Sequence, residues 1–147
     1  MRVQDLLERK PSTLITIDVE GSVEQAVHLL MLHNIGGLPV VVNGGRLVGF
    51  VAERDIVRAV GRRSWNALDV RMREIMRPAA TCKVDESLYD VMRRMTSERQ
   101  RHLVVEEDGR PIGVISVGDI VKQVLEQLET EAGVLRDYVA AHRAGRG

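Results

Sequence analysis

The sequence predicts an α+β fold: two tandem β-α-β-β-α repeats related by a pseudo-two-fold axis, followed by an extended C-terminal helix. Three observations carry this reading. The stretch "GVISVGDIV" (Gly113–Val121) nearly repeats "GFVAERDIV" (Gly49–Val57), each a short apolar strand running into an aspartate that opens a helix. The stretch "TIDVEGSVEQAV" likewise lies over "TCKVDESLYDVM", matching Thr16 to Thr81, Val19 to Val84 and Ser22 to Ser87 at one constant offset. Leu38 and Val40 keep that offset to Leu103 and Val105; after a one-residue slip in the next turn, Gly49 meets Gly113 and Asp55 meets Asp119. Two long copies indicate a paired domain rather than a solenoid of many short units.

Each element follows from local pattern. Short strands are expected at Leu14–Ile17 and Thr81–Val84. Ser22 and Ser87 each precede an apolar-periodic stretch, which is a helix N-cap signal. Val23, Ala26, Val27, Leu30 and Met31 recur at helical spacing in the first copy, as do Leu88, Val91, Met92 and Met95 in the second. The β-rich runs "LPVVVNGGRLVGFV" and "HLVVEEDGRPIGVI" surround Asn, Asp and Gly, residues that tolerate the positive φ of hairpin turns. A second helix begins near each aspartate, and Gly61–Arg77 joins the copies. The units divide as 1–64, 65–126 and a helical extension with a frayed tail at 127–147.

Along the extension, Val121, Leu125, Leu128, Ala132, Leu135 and Val139 step alternately by four and three, a coiled-coil-like seam. Gly133 lies inside it at a cost of about 1 kcal/mol in helix propensity. With so few heptads, the expectation is a helix packed on its own domain or on a dimer mate. The closing "HRAGRG" is expected to fray.

Composition bounds the function. The chain of 147 residues is 44% hydrophobic but only 3% aromatic, so aliphatic side chains fill its core. Lys+Arg and Asp+Glu number 21 each, which leaves no positive field for nonspecific nucleic-acid binding. Arg71, Arg73 and Arg77 read as a solvated basic face. Cys82 is the one cysteine, fits a reducing compartment and is expected to be a small buried hydrophobe. The charged start "MRVQDLLERKP" does not resemble a signal peptide, and no apolar run approaches the roughly 20 residues that span a bilayer. The expectation is a cytoplasmic protein with no membrane or nucleic-acid partner.

The ordered set "IGGLPVVVNGGRLVGFVAERDIV" and "RHLVVEEDGRPIGVISVGDIV", with the Thr-strand and Ser-capped helix before each, resembles a tandem pair of CBS domains. These are cystathionine-β-synthase-type repeats, and the resemblance covers about Val3 to Val124. It implies a regulatory module with no catalytic residue, which senses an adenine nucleotide in the cleft between its repeats. AMP is the first expectation, followed by ADP, ATP, NAD and S-adenosylmethionine; no cofactor is required. It also implies a homodimer and an unidentified protein partner that reads the bound state. The alternative is a ligand-free interaction module, and a third reading is an enzyme acting on the bound nucleotide.

The resemblance further implies that Asp119 holds ribose hydroxyls and Ser116 contacts phosphate, with Asp55 holding a second ribose. Physically, a helix N-terminus after a strand suits an anion, and a carboxylate beside it accepts from a diol. The plainer alternative is that Ser116-x-x-Asp119 is a capping box with a favourable dipole interaction. In the first copy the cap position is Ala52, without a hydroxyl, so reciprocal capping is not expected to explain Asp55. Arg54 is a phosphate candidate or a surface arginine. Arg101 and His102 match Gly36 and Gly37 of the first copy and are candidates for phosphate, with strand-start packing the alternative for His102. Gly37 allows close ligand approach or simply satisfies a turn. Thr16 and Thr81 are candidates for the base, or plain strand residues. His28, His33, His102 and His142 have no metal spacing, and neither a GxSxG nor a Walker loop occurs.

Overall fold

In a computed structural model, the structure describes residues 1–10 and 14–145. Its order is α1 (Val3–Arg9), β1 (Ile17–Asp18), α2 (Val23–His33), β2 (Gly37–Val42), β3 (Arg46–Ala52) and α3 (Glu53–Arg63). A 3₁₀ turn (Ser64–Asp69) and α4 (Met72–Ile75) then lead to β4 (Thr81–Cys82), α5 (Leu88–Ser97), β5 (His102–Glu107), β6 (Arg110–Ser116) and α6 (Val117–Ala144). The strands form two three-stranded sheets, β1-β2-β3 and β4-β5-β6. In each sheet the first strand runs parallel to the second, while the second and third form an antiparallel hairpin. The duplication extends to irregularities. The hairpins shift register between Val40 and Val41 and between Val105 and Glu106, matching positions of the two copies.

Local chemistry explains the elements. Ser22 caps α2 by accepting from the Gln25 N–H at 3.1 Å, and Gln25 accepts in return from the Ser22 N–H at 3.0 Å. Asn43, Gly44 and Gly45 turn the first hairpin, and Asp108 and Gly109 the second, all at positive φ. The first strands are shorter than their sequence suggests. Leu14 to Thr16 stay outside the sheet because β1 pairs with β2 only at Ile17 and Asp18. In the second copy the chain turns after Cys82, where the Lys83 N–H donates to Glu86 at 2.6 Å. Cys82 is buried as expected, and burial pushes its thiol up to about 11.

Two short helices exchange places. α1 packs Val3, Leu6 and Leu7 into the second copy's core, beside Cys82, Leu88, Val91, Leu103 and Ile115. α4 and its flanks send Val70, Met72, Ile75 and Met76 into the first copy's core, beside Ile17, Val23, Leu38 and Ile56. The hydrogen bonds that fasten them are also duplicated. Val3 and Gln4 N–H donate to Glu86 and Val84 carbonyls at 3.0 and 2.9 Å; Met72 and Arg73 donate to Gly21 and Val19 at 2.8 and 3.0 Å. Each copy is therefore closed by the segment that precedes its counterpart. Between them a third cluster forms from Phe50 and Ala52 of β3 and Val104 of β5, joined by Leu47, Ala79 and Val114.

The C-terminal helix departs from expectation at its end. α6 is 28 residues long and continues to Ala144, so much of "HRAGRG" is helical, while Arg146 and Gly147 lie outside the described residues. Only Ile120 and Gln123 of α6 are buried. The apolar seam does not pack on its own domain: Leu125, Leu128 and Leu135 are all more than half exposed.

Candidate functional site

A cleft of about 520 Å³ lies where the two copies meet. The first copy contributes Leu14, Ile15 and the stretch from His33 to Gly37, which joins α2 to β2. The second contributes His102, Gly113, Val114, Ser116 and Asp119, from the start of β5, the β6 strand and the first turn of α6. Lys10, at the end of α1, completes the wall.

The polar end is built on a reciprocal cap. The Asp119 N–H donates to Ser116 Oγ at 3.1 Å, and the Ser116 N–H donates to Asp119 Oδ2 at 2.9 Å. Lys10 Nζ donates to the same carboxylate oxygen at 2.8 Å and to the Val114 carbonyl at 2.7 Å. Burial pushes the Asp119 carboxyl up, but the Lys10 hydrogen bond and the Ser116 N–H outweigh it and hold the group below its ordinary range. His102 moves down, first because it is largely buried and further because Lys10 and Arg101 are near; Asp119 and Glu53 oppose this.

The matching cleft on the other side is nearly closed, at about 30 Å³, lined by Phe50, Arg54, Arg77, Arg101 and His102 among others. That is room for about one water. Unequal residues at matching positions explain the difference. The open cleft has Gly36, Gly37 and Val114 where the closed one has Arg101, His102 and Phe50. The Phe50 ring lies 5.3 Å from His102, centroid to centroid.

The sequence candidates are thus divided. Ser116, Asp119, His102 and Gly37 meet in the open cleft, whereas Arg54 and Arg101 line the closed one. Gly37 does not have positive φ, so no turn demands it; a Cβ there would collide with the Phe50 ring at Cζ. Thr16 precedes β1 and lines a separate shallow depression with Asp18, Glu24 and His28. Thr81 begins β4, and its carbonyl accepts from Arg94 at 2.9 Å. Neither threonine lines the open cleft.

Asp55 keeps half of the cap. Its Oδ2 accepts from the Ala52 backbone N–H at 2.8 Å, so the carboxylate half of the cap persists where the hydroxyl is missing. Its other oxygen lies 2.9 Å from Arg77 Nε, an ion pair outside hydrogen-bond alignment. Reciprocal capping is absent, as the identity of residue 52 implies, and a one-sided cap by the carboxylate takes its place. Lys10, Ile15, Asn34 and Ile35 had not been singled out from the sequence. Asn34 has one trace there, since Asn ending a helix suits its left-handed φ of 50°.

The chemistry on offer is recognition. Leu14, Ile15, Ile35 and Val114 give the cleft apolar walls, and Asp119, Ser116 and Lys10 give it an acceptor, a hydroxyl and a cation. Among the described residues no group of three His, Cys, Asp or Glu side chains is arranged to hold a metal. No described helix is long and apolar enough to cross a membrane.

Two α+β repeats meeting at a ligand-sized cleft define a tandem-repeat module. The chain belongs to the CBS domain family, whose description matches residues 3–62 and 72–126. It is 35% identical to the CBS-domain containing protein ATU1752 from Agrobacterium tumefaciens, with a TM-score of 0.77 over 84% of this chain and 98% of that one. The CBS domain pair of protein MJ0100, solved in complex with 5-methylthioadenosine and S-adenosyl-L-methionine, is 26% identical, with a TM-score of 0.77 over 86% of this chain and 98% of that one. Mitochondrial CBS domain-containing protein CBSX3 of Arabidopsis thaliana is 30% identical over 125 residues, covering 82% of this chain. The chain spans 61% of that relative, less than two thirds of its length.

Proposed function

We propose that this chain is a regulatory CBS pair that binds an adenine nucleotide, AMP first, in the open cleft. One observation carries the reading: Lys10, Ser116 and Asp119 converge on the polar end of a cleft of about 520 Å³ whose walls are apolar. A flat base fits such walls, a ribose diol donates to a carboxylate, and a phosphate suits a lysine beside a helix N-terminus. The adenosyl compounds in the MJ0100 complex support the same ligand class. On binding, Asp119 exchanges Lys10 for ribose hydroxyls and Lys10 turns to the phosphate. The protein is read as a cytoplasmic homodimer whose bound state is sensed by a protein partner, with no catalysis of its own.

A thermal-shift panel of adenine and guanine compounds tests this, followed by titration calorimetry on those that stabilise. AMP is expected to raise the melting temperature and to bind once per chain, because the closed cleft has no room. A second reading, a ligand-free assembly module, is favoured by the engagement of Asp119 Oδ2 by both Lys10 and the Ser116 N–H within the chain itself. Absence of any shift at millimolar adenine compound would leave that reading standing. Product analysis after incubation separates both from an enzyme.

A further inference from the structure

We infer that the distal part of α6 pairs in parallel with α6 of a second copy, forming a short two-stranded coiled coil that completes the homodimer. This rests on the homodimer reading above and assigns its contact. α6 runs for 28 residues, about 42 Å at 1.5 Å per residue, yet is buried only at Ile120 and Gln123. Val124 is its last residue packed on the second copy's core. Beyond it, about twenty residues project with no buried side chain, a length at which an isolated helix is marginal in water.

The projecting part carries one regular apolar row. Leu125, Leu128, Leu135 and Val139 are 53%, 55%, 63% and 39% exposed and share the alternating spacing with Val121 and Ala132. Such spacing keeps one face turned toward a partner helix of the same kind. The flanking charges choose the partner and its direction. With Leu125, Ala132 and Val139 in the first apolar position of each heptad, Glu131 and Arg136 flank the row on opposite sides, five residues apart. In a parallel pair, residues so placed face each other across the seam. Glu131 of each copy meets Arg136 of its mate, twice by symmetry. Within the described residues neither is engaged in an ion pair of its own chain. The seam is too short to associate alone, so it adds to a contact between the folded bodies, which raises the effective concentration of the two helices.

Light scattering and disulfide trapping on the full chain test this. Wild type is expected at twice the chain mass at micromolar concentration. Under mild oxidation, Leu128→Cys and Leu135→Cys are each expected to link to themselves, since only a parallel pair sets both positions opposite their own copies. Gln127→Cys, off the seam, serves as the collision control, and Cys82 is buried and silent. Glu131→Arg and Arg136→Glu should each weaken the dimer by about 3- to 10-fold, and the double reversal should restore it. A stop after Val124, checked for folding by circular dichroism, should weaken the dimer by about 100-fold or more in a dilution series. A wild-type monomer would overturn this inference and the homodimer reading together. A dimer no weaker after the truncation than before it, or one that fails to link through residue 135, overturns the coiled coil alone.

Discussion

Lys10 Nζ lies 2.8 Å from Asp119 Oδ2, joining the end of the first helix to the start of the last. α1 reaches that position because Val3 and Leu6 are anchored in the second copy's core. The first copy has a counterpart in Arg77 and Asp55, 2.9 Å apart, with Arg77 following α4. The exchange of short helices thus delivers one cation to each aspartate. The two pairs differ in surroundings: the Lys10 pair borders the open cleft, whereas the Asp55 side chain is only 5% exposed and Arg77 lines the closed one.

The first prediction concerns Lys10. If it passes to the phosphate on binding, Lys10→Met should weaken AMP by about 10-fold, the scale of one charge-assisted contact. Adenosine, without phosphate, should bind at least as well as to wild type, because Asp119 has lost a competitor. Calorimetry with both ligands decides the matter. Equal losses for AMP and adenosine would show that Lys10 only shapes the cleft.

The two aspartates should separate function from stability. Asp119→Ala removes hydrogen bonds to a charged acceptor, worth about 1.5–3 kcal/mol, and should weaken AMP by roughly 10- to 100-fold. Asp55→Ala removes the Ala52 cap bond and the charge facing Arg77, so it should lower unfolding free energy by about 1.5–3 kcal/mol. Its effect on AMP should be small. Ala52→Ser should restore the missing half of the cap and raise stability without opening a second site. Denaturant unfolding beside calorimetry would sink the assignment if Asp119→Ala, shown folded, bound AMP normally.

Repeats, hairpins and the Ser116–Asp119 junction were legible in the sequence because each rests on local spacing or turn chemistry. α1 and α4 were not. At 7 and 4 residues they are too short for periodicity to register, and each packs on the more distant copy. Lys10 was invisible for the same reason, since its partner lies 109 residues away. The missing hydroxyl at residue 52 was legible, but the one-sided cap of Asp55 was not, because its donor is the Ala52 backbone N–H, which survives any substitution except proline. Thr16 was placed from its match to Thr81, yet only Thr81 is in a strand.

Two matched glycines should tolerate alanine unequally. At Gly49 a Cβ would stand 2.7 Å from Met76 Sδ and 3.0 Å from the Arg77 carbonyl, which is fixed by its bridge to Phe50. At Gly113 it would meet Leu7 Cδ2 at 2.8 Å, the far end of a flexible side chain. Gly49→Ala should therefore cost about 1–3 kcal/mol, the range for overpacking, and Gly113→Ala less. Denaturant midpoints rank them, and the reverse order would show that α1 is held more rigidly than the α4 segment.

The last prediction is a pH dependence. Burial holds the His102 imidazole below its ordinary 6.5, and Lys10 and Arg101 add to this, while Asp119 and Glu53 pull the other way without reversing it. The unfolded chain therefore takes up a proton at this residue at higher pH than the folded one. Stability from His102 is intact above about 6.5 and falls as pH drops from there toward the folded value. Asp119 acts in a separate window. Its carboxyl is held below the ordinary 3.8, so its contribution persists above that pH and is lost only as pH falls through the folded value. Thermal melts between pH 7.5 and 5 should show wild type losing stability while His102→Gln, which cannot titrate, loses less. Parallel curves for the two proteins would mean that the acid sensitivity arises elsewhere. If His102→Gln also binds AMP with the wild-type affinity at pH 7.5, the neutral ring serves the junction of the two copies and not the phosphate.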